Sequence, residues 1–354
     1  RVQAYHPNDS LKHQGYYRQG KRDSLWMAWY ANGQLRDSGY YEKGLKKGRW
    51  YSFYPDGAPK ELLSYPNGPH KGWFPNGQLN YSGKVQAGKR HGQWDYWYAS
   101  GQKENTGRYD NGKEEGLHRL WYPNGQPEAH ITFARGGRHG PAQWYDSTGV
   151  LSLAGFYENG KRDSLWASYY TASQKEWEGR YKQGLRHGKW LFWYENGQLA
   201  ETGRYKNGLR EGRWDKFYTN GRPLQTGHYL HDQPHGRWEE WYVSGQQKTT
   251  GRFDHAEMDS TWQGWHENGH KAYVVEYKSG QKHGQSAHWY ADGKKRLEVY
   301  YQNGLRHGPR KLWDENGVLV VEGGYFDDQR HGPWTYYNRY GKRMRQESYK
   351  KGKK

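Results

Sequence analysis

Ten cationic side chains recur at one place in a repeating pattern: Arg22, Lys46, Arg90, Arg138, Arg162, Arg186, Arg210, Lys282, Arg306 and Arg330. If each repeat contributes two strands ~4.8 Å apart, these charges line one edge about 10 Å from one another. Such a row could hold an anionic polymer or a membrane surface by charge. The competing reading is structural. A guanidinium plane resting on a Trp ring gains ~0.5–1 kcal/mol, and a charged edge resists pairing with other chains. Because the cation belongs to the pattern itself, the structural reading is the expected one.

Beside that row stand His91, His139, His187, His235, His283, His307 and His331. A metal centre needs ligands converging at about 2 Å on one ion, whereas histidines of adjacent repeats would lie about 10 Å apart. They are expected to pack within turns, with no metal and no cofactor. Aromatic strands between basic turns could stack single-stranded bases. The same rings are the only core available, however, and no nucleic-acid module is present, so nucleic acid is not the expected partner. There is no Gly-x-Ser-x-Gly elbow, phosphate loop or His-Glu-x-x-His. Carboxylates such as Glu114, Glu115, Asp327 and Asp328 fall in turns. With every segment consumed by the repeat, no enclosed pocket is foreseen and no enzyme is expected.

The elements that must position these side chains follow from composition. The hydrophobic fraction is 32% and the mean hydropathy −1.38, values that alone would suggest disorder. Yet aromatic residues make up 18% of the 354, and Gly 49 supplies frequent turns. Short strands, tight turns and stacked rings in place of an aliphatic core are implied. With Cys 0, disulfides and thiolate sites are excluded. A net charge of +18 favours anionic partners without choosing among them. No stretch approaches the ~18 apolar residues of a transmembrane helix, and no signal peptide is visible; the start at Arg1 suggests a removed leader or missing upstream chain.

Internal periodicity organises the whole chain. A small residue closes each basic turn at Ser24, Gly48, Gly72, Gly92, Gly116, Gly140, Ser164, Gly188, Gly212, Gly236, Ser260, Gly284, Gly308 and Gly332, every spacing being 24 except one of 20. One continuous array over residues 1–354 is expected, with a partial repeat at 1–23, full units from 24 and a shortened unit at 72–91. Nine residues after the closing residue comes a turn such as Asn32-Gly33, Asn196-Gly197 or Asp292-Gly293, a strong hairpin signal because both residues tolerate positive φ. Most tryptophans sit two or five positions after the closing residue, as in Trp190 and Trp193. The outgoing strand reads Gly-x-Tyr, as in Gly203-Arg204-Tyr205, and a looser turn such as Asn207-Gly208 follows. Strand glycines leave room for rings of the next unit. Positions two and five face opposite sides of a regular strand, so either both faces carry rings or the incoming strand is irregular. About 14 stacked hairpins would span about 130–140 Å as an elongated antiparallel sheet. A seven-bladed propeller is the alternative.

The run Gly188-Lys189-Trp190-Leu191-Phe192-Trp193-Tyr194-Glu195-Asn196-Gly197-Gln198-Leu199, followed by Gly203-Arg204-Tyr205, resembles the MORN repeat and more closely its bacterial variant. The resemblance implies an all-β, twisted open meander or solenoid of hairpins. It also implies a scaffold for protein–protein contact or membrane-associated assembly, or, for some bacterial relatives, an antitoxin-like partner. The Lys21–Trp26 form, repeated at Lys161–Trp166, looks like repeats of exported Bacteroidota proteins, which favours a cell-envelope assembly over the cytoplasm. Expected partners are another protein first and an anionic polymer or membrane surface second. The breaks in the array, at the shortened unit Gly72–His91 and at the irregular turns of Asp232, Ala256 and Asp328, are where a partner-specific surface is expected.

Overall fold

The computed structural model describes residues 1–354 and contains thirty strands and no helix. It divides into two units, Arg1–Gln174 and Lys175–Lys354. The first runs from β1 (Val2–Tyr5) to β15 (Lys161–Tyr169), the second from β16 (Lys175–Lys182) to β30 (Arg343–Tyr349). Within each unit every strand pairs antiparallel with its neighbours in sequence. The ladder continues without a break at every fourth strand, so each unit is an open meander and not a set of propeller blades.

The two turns exchange the roles expected of them. At the Asn-Gly turn, only the glycine is left-handed: Gly33 has φ 82 and Gly197 φ 84, while Asn32 and Asn196 are not at positive φ. Gly197 N donates to Tyr194 O at 2.9 Å, and Asn196 Oδ1 accepts from Gln198 N at 3.0 Å. The asparagine amide then donates across to the next turn, Asn196 to Thr219 O and Asn32 to Pro55 O, both at 2.8 Å. The supposedly looser turn is the tight one. Asn207 and Gly208 have φ 53 and 89 between the paired residues Lys206 and Leu209, a two-residue type I′ hairpin.

The closing residue, four positions beyond, is also left-handed, as at Gly188 with φ 72 and Ser24 with φ 60. It bulges the incoming strand away from the preceding one: Gly179 pairs with Trp190 but its neighbour Arg180 pairs with His187. Beyond the bulge, residues 190–192 pair one for one on both sides, and the register to the outgoing strand shifts again between Phe192 and Trp193. Both faces carry rings, since Trp238 and Trp262 of position two line one groove and Phe217 and Trp241 of position five another. The strand is irregular both upstream of the two positions and between them.

Position two makes the core. Trp166 and Trp190 are 0% exposed, and Trp334 is 2%. Each indole lies flat on a glycine of the preceding strand. A Cβ on Gly155, Gly179 or Gly203 would stand 2.1 Å from the ring of Trp166, Trp190 or Trp214. The indole N–H donates to the carbonyl just past that glycine, Trp190 to Arg180 O at 3.2 Å and Trp334 to Gly324 O at 3.0 Å. His118 imitates this over Gly107, its Nε2 donating to Arg108 O at 3.0 Å. Where the ring is missing the glycine is missing too: Ile131 pairs with Ala142, Val275 with Ser286 and Val299 with Arg310. The chain thus fills one volume in two ways, ring over glycine or branched residue against small or flexible one.

The shortened repeat lies elsewhere than expected. Gly68, φ 124, pairs with Val85 and His70 with Gly83, the register that Gly188 and Trp190 have with Tyr205 and Gly203. Gly68, not Gly72, is the closing residue. The four lost residues belong to the turn between Tyr65 and Gly68, and the unit assigned to 72–91 is full length from 68.

Candidate functional site

Every member of the basic row lies on an aromatic ring. Arg22 sits 4.5 Å above Trp26, Lys46 4.3 Å above Trp50, Arg90 5.1 Å above Trp94, Arg162 4.4 Å above Trp166, Arg186 4.7 Å above Trp190 and Arg330 4.5 Å above Trp334. Arg138, Arg210, Lys282 and Arg306 lie 5.4, 3.9, 5.1 and 4.2 Å from Tyr157, Tyr229, Tyr301 and Tyr325. Several also donate to the phenol oxygen nineteen residues on, as Arg186 does to Tyr205 at 2.9 Å and Arg22 to Tyr41 at 3.1 Å. That bond to Tyr41 holds the Arg22 guanidinium above its ordinary value. Arg210 and Arg306 are further paired with Asp232 at 3.1 Å and Asp328 at 2.6 Å. Their backbones are committed too: Arg22 O accepts Gly44 N at 2.8 Å and Arg186 O accepts Gly208 N at 2.9 Å, so the type I′ turns stack through this row.

The row is interrupted at Pro66, Glu114, Pro234 and Met258. Near the last two, Pro234, Trp238, Phe253, Met258, Trp262 and Tyr273 line an open groove of about 310 Å³.

The opposite face carries a second aromatic row that sequence reading undervalued. Position five is aromatic and half-buried throughout, as at Trp29, Phe53, Trp73, Trp97, Phe217, Trp241 and Trp313. Charged residues stand beside it: Arg213 pairs with Asp215 at 2.8 Å, and Arg237 with Glu239 at 2.6 Å. With Phe217, Pro223, Gln225 and Trp241 these residues line an open groove of about 540 Å³. The alternation of Trp190 and Trp193 was the available signal.

Three of the seven row histidines meet the following turn; Nδ1 of His139, His283 and His331 each lies 3.4 Å from a backbone N, of Asn159, Asn303 and Lys351. His235 differs, because it meets Asp254 and His255 together. The expectation of no metal ligands compared histidines of one row and did not consider His255 in the following turn.

Stacked two-strand units, joined through rings and turns, define a β-hairpin repeat protein. The chain carries MORN repeats: the MORN repeat variant model matches residues 114–134, 138–159, 186–207, 282–303 and 306–328. No curated protein sequence matches it. Among solved structures, one of TcdB2-TccC3-Cdc42 matches with 11% identity and a TM-score of 0.17, over 94% of this chain and 22% of that one. One of the Photorhabdus luminescens Tc holotoxin pore matches with 10% identity and a TM-score of 0.17, over 98% of this chain and 18% of that one. The chain thus spans about a fifth of those chains, and likeness at that score carries no argument. No helix is long and apolar enough to cross a membrane.

Proposed function

We propose that the chain is a non-enzymatic repeat scaffold that binds another protein through its position-five face, as a subunit of a bacterial envelope assembly. The half-buried ring row of that face, flanked by charged pairs such as Arg237–Glu239, carries this reading. Rings with a polar rim are the surface that protein interfaces favour. The Trp–Gly face, by contrast, is used up in holding the array together. The test is co-purification of a stoichiometric partner with the native chain and with Phe217→Ala/Trp241→Ala. Loss of the partner with an unchanged circular dichroism spectrum supports the reading; full retention by this variant and by Trp289→Ala/Trp313→Ala refutes it.

A second reading, binding of an anionic polymer or lipid head groups along the basic row, is favoured by the net charge of +18. It predicts affinity for anionic vesicles that falls steeply with salt and is lost when Arg138, Arg162, Arg186 and Arg210 become Ser. An antitoxin-like role rests on the family resemblance alone.

A further inference from the structure

We propose that His235, Asp254 and His255 form a binding site for a divalent transition-metal ion of the zinc type. His235 stands near the start of β21 (Gln233–Trp241); Asp254 ends β22 (Gln247–Asp254), and His255 opens the turn into β23 (Glu257–Trp265). Asp254 Oδ1 lies 3.4 Å from His235 Nδ1 and 2.9 Å from His255 Nδ1, and the three ligand atoms all fall within 4.8 Å of one another. Bonds of about 2.0–2.1 Å at tetrahedral angles place neighbouring ligand atoms about 3.3 Å apart. The two nitrogens and one carboxylate oxygen suit zinc, and the exposed side chains of Asp254 and His255, at 54% and 69%, leave a fourth position to solvent.

His235 Nδ1, like His187 Nδ1, is buried yet makes no hydrogen bond, so a donor atom is already desolvated. Two observations set this turn apart from its equivalents. The residue equivalent to His255 is Asn111, Asn159, Asn207 or Asn303 in four other histidine-bearing repeats and Lys351 in a fifth; beside His307 it is Asp327, but Phe326 stands there in place of Asp254, so three ligand residues meet only here. His91 and Asp110 repeat the 3.4 Å contact without a third ligand. The basic row is also broken on both sides of the cluster, at Pro234 and Met258, which removes the fixed cations that would repel a metal. The turn itself places two side chains at positive φ, His255 at 46 and Ala256 at 69. At the other turns lacking glycine, Asp232 and Asp328 fix the strained backbone by accepting from Arg210 N and Arg306 N; Ala256 has no such group. A bound ion would clip β21 to the following turn.

The experiment is calorimetric titration of the full chain with ZnCl₂, with Co²⁺ absorption reporting coordination geometry. The native chain should bind one Zn²⁺ and show the intense visible bands of tetrahedral Co²⁺. His255→Asn restores the residue of the sister turns, so it should fold, and should bind at least about tenfold more weakly, since even outer partners of metal ligands are worth that much. His283→Asn, which removes a histidine elsewhere, should change nothing. Equal affinity in the native chain and His255→Asn, loss on His283→Asn, or no Zn²⁺ binding by the native chain overturns the proposal.

Discussion

The stretches around Trp190 and Trp238 share one register and differ in what covers the ring. Gly188 pairs with Tyr205 and Trp190 with Gly203; Gly236 pairs with Phe253 and Trp238 with Gly251. Over Trp190 lies Arg186, which also donates to Tyr205. In the second stretch Pro234 stands where Arg186 stands, and Phe253 where Tyr205 stands, so cation and phenol are lost together. Trp190 is fully buried while Trp238 is half-buried. Yet Trp262, behind Met258, is 7% exposed. A long side chain at the row is therefore enough to roof the ring, and charge is not required. Glycine and register seat the indole; the row closes over it.

The seat should be the harder element to break. Gly179→Val places a Cβ 2.1 Å from Trp190, and with backbone below and packed rings around it the indole cannot withdraw. Overpacking of that severity should cost more than about 3 kcal/mol in urea unfolding. Adding Trp190→Ser recreates the Val275–Ser286 pair and should recover stability, with a coupling of about 2 kcal/mol or more. A double variant less stable than Gly179→Val would mean that the two ways of filling the volume are not interchangeable.

Truncation measures the roof. Trp190→Ala should cost about 3–5 kcal/mol, as for other buried tryptophans, whereas Trp238→Ala, half open already, should cost about half of that. Equal losses would show that the roof adds no burial that matters. Conversely, Pro234→Arg with Phe253→Tyr should close the second site, shift Trp238 fluorescence to shorter wavelength and add about 0.5–1 kcal/mol. Arg186→Ala should remove about 1 kcal/mol and shift fluorescence the other way.

Much of this was legible because the repeat prints each interaction many times. Period, hairpins and the ring-over-glycine stack follow from where Gly and Trp recur. Turn geometry did not: Asn196-Gly197 and Asn207-Gly208 are the same dipeptide, and only strand pairing distinguishes a type I′ turn from one in which asparagine serves as a side-chain acceptor. The shortened repeat was misplaced because Gly72 and Gly68 are both glycines, and φ, not residue type, identifies the closing position. The candidate site was half legible. The basic row was visible along the chain, but the meeting of His235 with His255 depends on a strand returning one turn later, a contact that no periodicity within a single row contains.

The smallest effect concerns the exchanged pair itself, where Ser286 takes the indole's place. Ser286 is 1% exposed, and its hydroxyl finds a partner in His288 Nε2 at 3.2 Å. His288 leans on Tyr273, with ring centroids 6.2 Å apart, and burial, followed by the charges of Arg296 and Lys282, holds its pKa below the ordinary 6.5. In the unfolded chain the imidazole takes up its proton near pH 6.5, in the folded chain only at lower pH. Between those values the unfolded state binds more protons, so stability is full above about pH 6.5 and falls as pH drops toward the folded value. His288 therefore makes this unit acid-sensitive in a way the Trp190 unit, which has Phe192 at the corresponding position, is not. Hydrogen exchange of the strand amides at Tyr273–Val275 should quicken between pH 7 and 5.5 relative to that at Trp177–Gly179, beyond the intrinsic chemistry. His288→Phe should remove the difference; an unchanged difference would assign it to another group.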